Sequence, residues 1–230
     1  MLQLTDFKAI KNKQIKTLYQ NVWTHLDYIR SLHSESDLLT YQEMFKAYKN
    51  GYASNKMFKA LMKSQIDYTY IYVDWFSVYI NAKLTYLNKT EFKRIDDLLK
   101  FAELQSTTGF LFLITDKLAK HHIQMINLLS KIDIVSYILL NDHELLKKQI
   151  PHYPKQLLED FDVSTSLEGV YMINEGYLAL WRYLSFKVDG WIVALKPYLI
   201  QFQDEEVQLM SLFIKRVQNM LDNKQKHLFK

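Results

Sequence analysis

The sequence predicts an all-α fold, and three observations lead to this prediction. The 230 residues include only 5 glycines and 3 prolines, which are the residues that interrupt helices and build turns. Hydrophobic residues make up 49% of the chain and recur at steps of three and four, so that they share one face of a helix. Short polar clusters separate these periodic segments. We therefore expect a single-domain multi-helix bundle.

The length and composition also limit the organisation and the chemistry. The whole chain, residues 1–230, fits one domain, in which residues 1–55 form an N-terminal helical extension of a core at 56–222. There is no cysteine, which excludes disulfides and thiolate nucleophiles. The N-terminus has no apolar signal segment, and charged residues interrupt the longest apolar runs. We expect a soluble, cytoplasmic protein with no membrane contact. The net charge of +4 is spread among acidic residues, and no nucleic-acid partner is expected.

The first third of the chain predicts three helices. Residues 5–33 carry an amphipathic pattern, and a polar cluster ends it. Thr40 and Glu43 have the spacing of a capping box, which predicts a second helix that ends near Asn50 and Gly51. Ser54 or Asn55 caps a third helix, which runs to Leu87.

The third predicted helix is apolar almost all round, with polar residues confined to a narrow seam. The seam repeats every seven residues, at Asp67, Asp74, Asn81 and Asn88. Either the seam is the one strip of the helix that meets water, or it lines an internal polar pocket beside tyrosine hydroxyls.

The remaining helices follow from the same rules. We predict them at residues 91–105, 110–122, 123–140, 143–150, 168–184, 191–201 and 204–221. A break is expected at residues 106–109, and Thr165 with Glu168 has the spacing of a second capping box. The segment 168–184 is the most informative, because Gly176 interrupts good helix formers. A glycine there costs about 1 kcal/mol unless a backbone or a ligand approaches closely.

The sequence has no Glu-x-x-His or His-x-x-x-His spacing, which helical metal sites use, and it has no glycine-rich phosphate loop. His25 lies among Val22, Leu26 and Ile29 on the first helix. It is either a satisfied core residue or an axial haem ligand.

Three segments of the C-terminal half carry a family resemblance. The segment 128–140, LLSKIDIVSYILL, has an aspartate after paired leucines. The segment 169–176, GVYMINEG, has an aromatic residue between its glycine and a closing Glu-Gly, with Arg182 in register. The segment 191–199, WIVALKPYL, precedes an acidic helix start. In order and spacing these segments resemble the bacterial heme oxygenases. The second is similar to the distal helix of that family.

The resemblance implies a heme oxygenase-like fold and haem as the cofactor. Leu180 and Trp181 stand where the family has glycines, so the resemblance implies a related fold more than it implies haem cleavage. The group of Gln65, Asp67 and Tyr70 is similar to one in the TenA-like proteins that share this fold.

Two hypotheses result. In the first, the chain binds haem or another flat apolar ligand in a pocket between the third helix and the segment 168–184, with His25 as the metal ligand. The residues expected to bind the cofactor are His25, Tyr70, Asp74, Tyr171, Glu175 and Arg182. In the second, the chain is a helical interaction protein, such as an immunity protein that neutralises a toxin. The partner is accordingly a small apolar ligand or a protein.

Overall fold

The computed structural model describes residues 2–67, 71–115, 123–167, 170–200 and 205–229. Within these ranges it contains ten α-helices, a short 3₁₀ helix at Leu4–Ala9 and no strand, so the all-α prediction is confirmed. The helices are α1 Lys13–Ser31, α2 Glu35–Lys49, α3 Lys56–Asp67, α4 Val73–Leu87, α5 Ile95–Gln105, α6 Thr107–Thr115, α7 Ile123–Lys147, α8 Lys155–Asp160, α9 Glu175–Ile200 and α10 Glu205–Leu228.

Helices α6 and α7 form the centre of the fold. Every residue of α6 is buried. Helix α7 packs against α5, α6, α9 and α10. Of the helices that the structure describes, α7 is the one long and apolar enough to cross a membrane, but 56% of its most apolar window is buried inside the fold. That burial is typical of a core helix. The cytoplasmic location stays a prediction.

The predicted helix at 5–33 is two elements. The side chain of Asn12 accepts hydrogen bonds from the backbone of Gln14 and Ile15, so it caps α1 and separates it from the 3₁₀ helix. Helix α2 begins at Glu35 with Ser34 as its cap, rather than at Thr40. The Thr40 hydroxyl instead donates to a backbone carbonyl inside α2, which removes the predicted capping box.

The single helix predicted up to Leu87 is also wrong. Helix α3 ends at Asp67 and α4 begins at Val73. The residues at 66–73 are mostly β-branched or aromatic, and such residues lose side-chain freedom in a helix. The backbone N–H of Tyr72 donates to the carbonyl of Ile114 at the end of α6, a partner outside its own helix.

Helix α9 begins at Glu175, seven residues later than predicted. Before it, the chain folds back on itself, and Thr165 forms an isolated bridge with Tyr171. The Asn174 side chain accepts from the Tyr177 backbone and caps the helix. The expected division near Gly190 does not occur, since α9 continues to Ile200.

The predicted helices at 123–140 and 143–150 are one helix, α7. The break predicted at residues 106–109 is confined to Ser106, where α5 ends, because α6 already begins at Thr107. Helix α1 packs against α3, α4 and α6, so the N-terminal segment contacts the central helices directly. The proposed boundary at residue 55 stays a prediction.

Candidate functional site

His25 is a fully buried core residue. Its Nδ1 lies 2.6 Å from the Tyr41 hydroxyl, and its Nε2 lies 3.2 Å from the carbonyl oxygen of Met57. The rings of Tyr41, Phe58 and Phe76 surround the imidazole. Burial lowers its pKa to about 4, although the hydrogen bond to Met57 acts in the opposite direction. Both ring nitrogens are occupied within the fold, so neither one is presented to a haem iron.

The other residues expected to bind a cofactor do not converge. Asp74 is 92% exposed in its side chain and pairs with Lys49. Glu175 and Arg182 are exposed, and the Arg182 guanidinium lies over the ring of Phe229. The described parts of the polar seam, at 74, 81 and 88, all face water, which is the first of the two explanations given above. Tyr70 and the side chain of Asp67 lie outside the described residues.

Tyr171 is buried, but in a different environment. Its hydroxyl lies 2.6 Å from Nε2 of His152, and its ring stacks on that of Tyr177. No hydrogen bond or ion pair joins any two of the described residues that were expected to bind haem. The described members of the predicted set are therefore not joined by direct polar contacts.

Instead, the structure shows two buried polar clusters on α7. The first, which we call the Asp142 cluster, consists of Asp142, Tyr153, Tyr177 and Lys224. Asp142 accepts hydrogen bonds from Tyr153 at 2.9 Å, Tyr177 at 2.6 Å and the Lys224 ammonium at 2.8 Å. Burial alone would raise the pKa of Asp142, but the charge of Lys224 and these hydrogen bonds together lower it.

Each polar atom of the Asp142 cluster has a partner, and its members come from four segments of the chain. Burial and the nearby charge of Asp142 raise the pKa of Tyr177 and of Tyr153. Both tyrosines are therefore protonated hydrogen-bond donors at neutral pH. A fully satisfied network of this kind fixes the ends of helices rather than binding a ligand.

The second cluster lies where α5, α6 and α7 meet. We call it the Asp133 cluster, and it consists of Ser106, Thr108, Ser130, Asp133 and Ser136. The Ser106 hydroxyl donates to Oδ2 of Asp133 at 2.9 Å and also accepts from the backbone of Gly109, which starts the first turn of α6. The α6 and α7 backbones approach closely here, since a Cβ at Gly109 would lie 2.0 Å from the Ser130 hydroxyl.

The Asp133 cluster contains four buried polar groups without a hydrogen-bond partner. They are Oδ1 of Asp133 and the hydroxyls of Thr108, Ser130 and Ser136. Asp133 is only 5% exposed, and the other three residues are at most 1% exposed. More than nine in ten buried polar groups in native proteins are paired, and an orphaned group is explained by local strain, a catalytic role, or an ordered water or ion. Four such groups on two adjacent helices therefore mark a candidate binding site.

Aromatic side chains form an apolar wall on α4 and α6 beside this junction. The ring of Phe110 contacts those of Tyr79 and Trp75, with centroids 4.8 and 6.3 Å apart. The Tyr79 hydroxyl lies 3.2 Å from that of Thr107, and burial raises its pKa to about 12. A few converging polar groups against apolar walls are typical of small-molecule sites.

The described residues do not fit a metal centre. Mg²⁺ and similar cations need several oxygen ligands, usually including more than one carboxylate or a substrate phosphate. Asp133 is the only acidic member of its cluster. Among the residues described, no group of three or more histidine, aspartate or glutamate side chains could hold an ion.

An open surface groove runs between residues 91–96 and 155–159. Its walls carry three basic and three acidic side chains, so it offers neither an apolar surface nor a field of one sign. We do not assign a ligand to it.

The similarity of this chain to known proteins lies in its fold. No protein-family model matches the chain, and no curated protein matches it by sequence. The structure superposes on a dehydrosqualene synthase solved in complex with a ligand, with a TM-score of 0.87 and 12% identity over 98% of this chain and 81% of that one. The fold is squalene synthase-like. Squalene synthase HpnC from Alicyclobacillus acidocaldarius also superposes, with a TM-score of 0.75 and 13% identity over 94% of this chain and 84% of that one.

The squalene synthase-like fold overturns the heme oxygenase resemblance. The prediction of a heme oxygenase-like haem-binding protein is wrong, and the alternative of a toxin-neutralising interaction protein also finds no support. Asp142 and Asp133, the acidic residues of the two clusters, both lie on α7, and Asp133 falls within the segment 128–140 that resembles heme oxygenases. A usable signal was present there, because Ser130, Asp133 and Ser136 recur at steps of three within an otherwise apolar helix.

Proposed function

We propose that the chain binds a small, uncharged isoprenoid whose polar end contacts the Asp133 cluster. The observation that carries the proposal is the set of four orphaned polar groups buried among apolar helices. The squalene synthase-like fold supports the isoprenoid class, since one of the similar structures is a dehydrosqualene synthase in complex with a ligand. The proposal concerns binding.

The chemistry of the cluster favours a hydroxyl as the polar end. A ligand hydroxyl can donate to Oδ1 of Asp133 and accept from the hydroxyl of Ser130 or Thr108. A diphosphate is disfavoured, because its charges would lie beside a carboxyl group. No lysine or arginine in the described chain hydrogen-bonds to the cluster, and the nearby Lys131 is paired with Glu103. An uncharged prenyl alcohol satisfies these conditions.

Thermal unfolding with two probes tests the proposal. Farnesol is a prenyl alcohol, whereas squalene is a hydrocarbon without a polar end. A ligand that binds only the folded state at one hundred times its dissociation constant adds about 2.7 kcal/mol of stability. We expect farnesol to raise the melting temperature and squalene to do so less. If neither probe changes the melting temperature, the proposal is wrong.

Two variants locate the binding. Asp133→Asn keeps the size of the side chain but changes its hydrogen bonding, and we expect it to weaken farnesol binding by about tenfold. Asp160→Asn, on an exposed position of α8, is the matched control and should bind like the parent chain. Equal affinity in Asp133→Asn and in the parent would place the ligand elsewhere.

A further inference from the structure

Helix α9 presents an apolar stripe that none of the described residues covers. Phe186, Val193 and Ile200 recur every seven residues and are 78%, 61% and 83% exposed. Gly190 and Pro197 lie between them, so that the steps are four, three, four and three. At 100° per residue these five positions fall within a sector about 80° wide. We call them the α9 stripe.

The opposite face of α9 is the one that packs into the core. Its buried residues include Leu180, Leu184, Val188 and Ile192. A Cβ placed on Gly190 would meet nothing within 4 Å, so packing inside the chain does not explain this glycine. Glycine in a helix interior costs about 1 kcal/mol relative to alanine. An exposed apolar seam of this spacing is the pattern by which two helices pack together.

We infer that the α9 stripe is the contact between two copies of this chain, which pair antiparallel about a two-fold axis at Val193. The sequence of the stripe is complementary to itself in this arrangement. Val193 meets its own copy, Phe186 faces Ile200 of the second copy, and Gly190 lies within about 1.5 Å along the axis of the level of Pro197 of that copy. Large residues thus meet large ones at the two ends, and the glycine leaves room for the proline ring.

The charges beside the stripe agree with this register. Asp189 and Lys196 lie on the same flank of α9, and neither forms an ion pair within the described chain. In an antiparallel pair each flank faces its own equivalent, so Asp189 of one copy lies beside Lys196 of the other, and the reverse holds by symmetry. Within one copy, burial and then the charge of Asp222 raise the pKa of Asp189. A cation from a second copy would relieve that repulsion.

A lipid surface is the main competing occupant. Interfacial helices carry basic residues beside their apolar face, because those residues attract anionic lipids. Here Asp189 and the neighbouring Asp222 place negative charge at the middle of the face. The charge pattern therefore favours a second copy.

Sedimentation analysis of the full chain tests the pairing. We expect a species of twice 27.5 kDa, about 55 kDa, in equilibrium with the monomer. One helix pair is a small interface, so a dissociation constant in the micromolar range is expected. Val193→Glu places two carboxylates at the axis and should raise that constant at least about tenfold. Val78→Glu, at an exposed valine of α4, is the matched control and should leave it unchanged.

Charge reversal and cross-linking test the register. Asp189→Lys and Lys196→Asp should each weaken the dimer, and the double variant should restore it. The chain has no cysteine, so Val193→Cys should form a disulfide-linked dimer on mild oxidation, while Val78→Cys should not. A monomer at all concentrations, or a dimer that Val193→Glu leaves intact, overturns the inference. Binding of the monomer to anionic vesicles that is lost in Val193→Glu would assign the stripe to a lipid surface.

Discussion

The buried imidazole of His25 makes the stability of this protein depend on pH. The pKa of His25 is about 4 in the folded state, below its value of 6.5 in the unfolded chain. The unfolded state therefore binds more protons between these values. Protonation of His25 costs no stability above pH 6.5. As the pH falls towards 4, this group lowers the free energy of unfolding by about 3 kcal/mol. Urea unfolding at a series of pH values measures it.

The variant His25→Gln separates this effect from that of other groups. Glutamine can still contact Tyr41 and the Met57 carbonyl but does not titrate, so stability should be lower overall and its slope between pH 6.5 and 4 much smaller. Burial also lowers the pKa of His152, which leaves a residual slope of the same sign. His33→Gln changes an exposed histidine and should keep the slope of the parent chain. An unchanged slope in His25→Gln would contradict the assignment.

Two glycines of α9 give opposite predictions for the same substitution. A Cβ at Gly176 would lie 2.1 Å from the carbonyl oxygen of Phe161, which belongs to the backbone and cannot move aside cheaply. We expect Gly176→Ala to destabilise the fold by about 2 kcal/mol. Gly190→Ala meets open space and should stabilise the monomer by about 0.5–1 kcal/mol. Denaturant unfolding in the Val193→Glu background measures both changes without association.

The close approach at Gly176 was foreseen as one of the reasons for a helix glycine, but its partner was not. Sequence periodicity shows that a glycine interrupts a helix without showing which backbone crosses it. Here the neighbour is the end of α8, which lies 15 residues earlier in the chain. That approach depends on the bridge between Thr165 and Tyr171, which apolar periodicity does not predict.

At the scale of whole elements, the Asp142 cluster fastens the C-terminal helix to the core. The Lys224 ammonium of α10 donates hydrogen bonds to Asp142 and to the carbonyl of Leu139. It thus joins α10 to α7 through a charged side chain. Lys224→Met leaves a fully buried carboxylate without its cation, which should cost about 3 kcal/mol. Lys215→Met, on the exposed side of the same helix, is the control and should change stability by less than about 0.5 kcal/mol.

Thermal unfolding with amide hydrogen exchange checks this prediction. If the cluster fastens α10, Lys224→Met should lose protection first in α10 and the end of α7 rather than uniformly. A Lys224→Met variant as stable as the Lys215→Met control would show that the cluster is not a structural anchor.

Helix existence was more predictable than helix boundaries. The apolar periodicity predicted helices over most of the described chain, since burying one face is what holds each helix. The predicted boundaries were wrong where the local sequence is compatible with both a helix end and a helix interior. Asn141 and Asp142 look like a helix stop, but Asp142 is held inside α7 by Tyr153, Tyr177 and Lys224. Partners this distant in the chain are not visible in a local pattern.

At the scale of the whole molecule, the all-α fold class was predictable from the sequence, but the arrangement of the helices was not. Two all-α folds share the same composition and the same periodicity, so the segments 128–140 and 169–176 resembled heme oxygenase helices without sharing their arrangement. The structure exposes Asp74 to solvent and buries both ring nitrogens of His25, so these two side chains do not meet at one site. The Asp133 cluster could have been suspected from its spacing. Its partner Ser106 could not, because 27 residues separate the two.

The N-terminal helices should unfold together with the rest of the chain. Trp23 of α1 and Trp181 of α9 are both buried, on either side of the proposed boundary at residue 55. Helix α1 packs against α3, α4 and α6, so removing it would expose the centre of the core. We therefore expect one cooperative transition, with the same urea midpoint from either tryptophan.

Two variants that each keep one of these tryptophans, with the other three replaced by phenylalanine, make the measurement possible by fluorescence. Each variant is compared with its own circular dichroism transition, because the replacements change overall stability. Coincident midpoints within each variant indicate one domain over residues 1–230. A Trp23 transition at lower urea than the helical signal, without a matching difference for Trp181, would show that residues 1–55 are an extension that melts on its own.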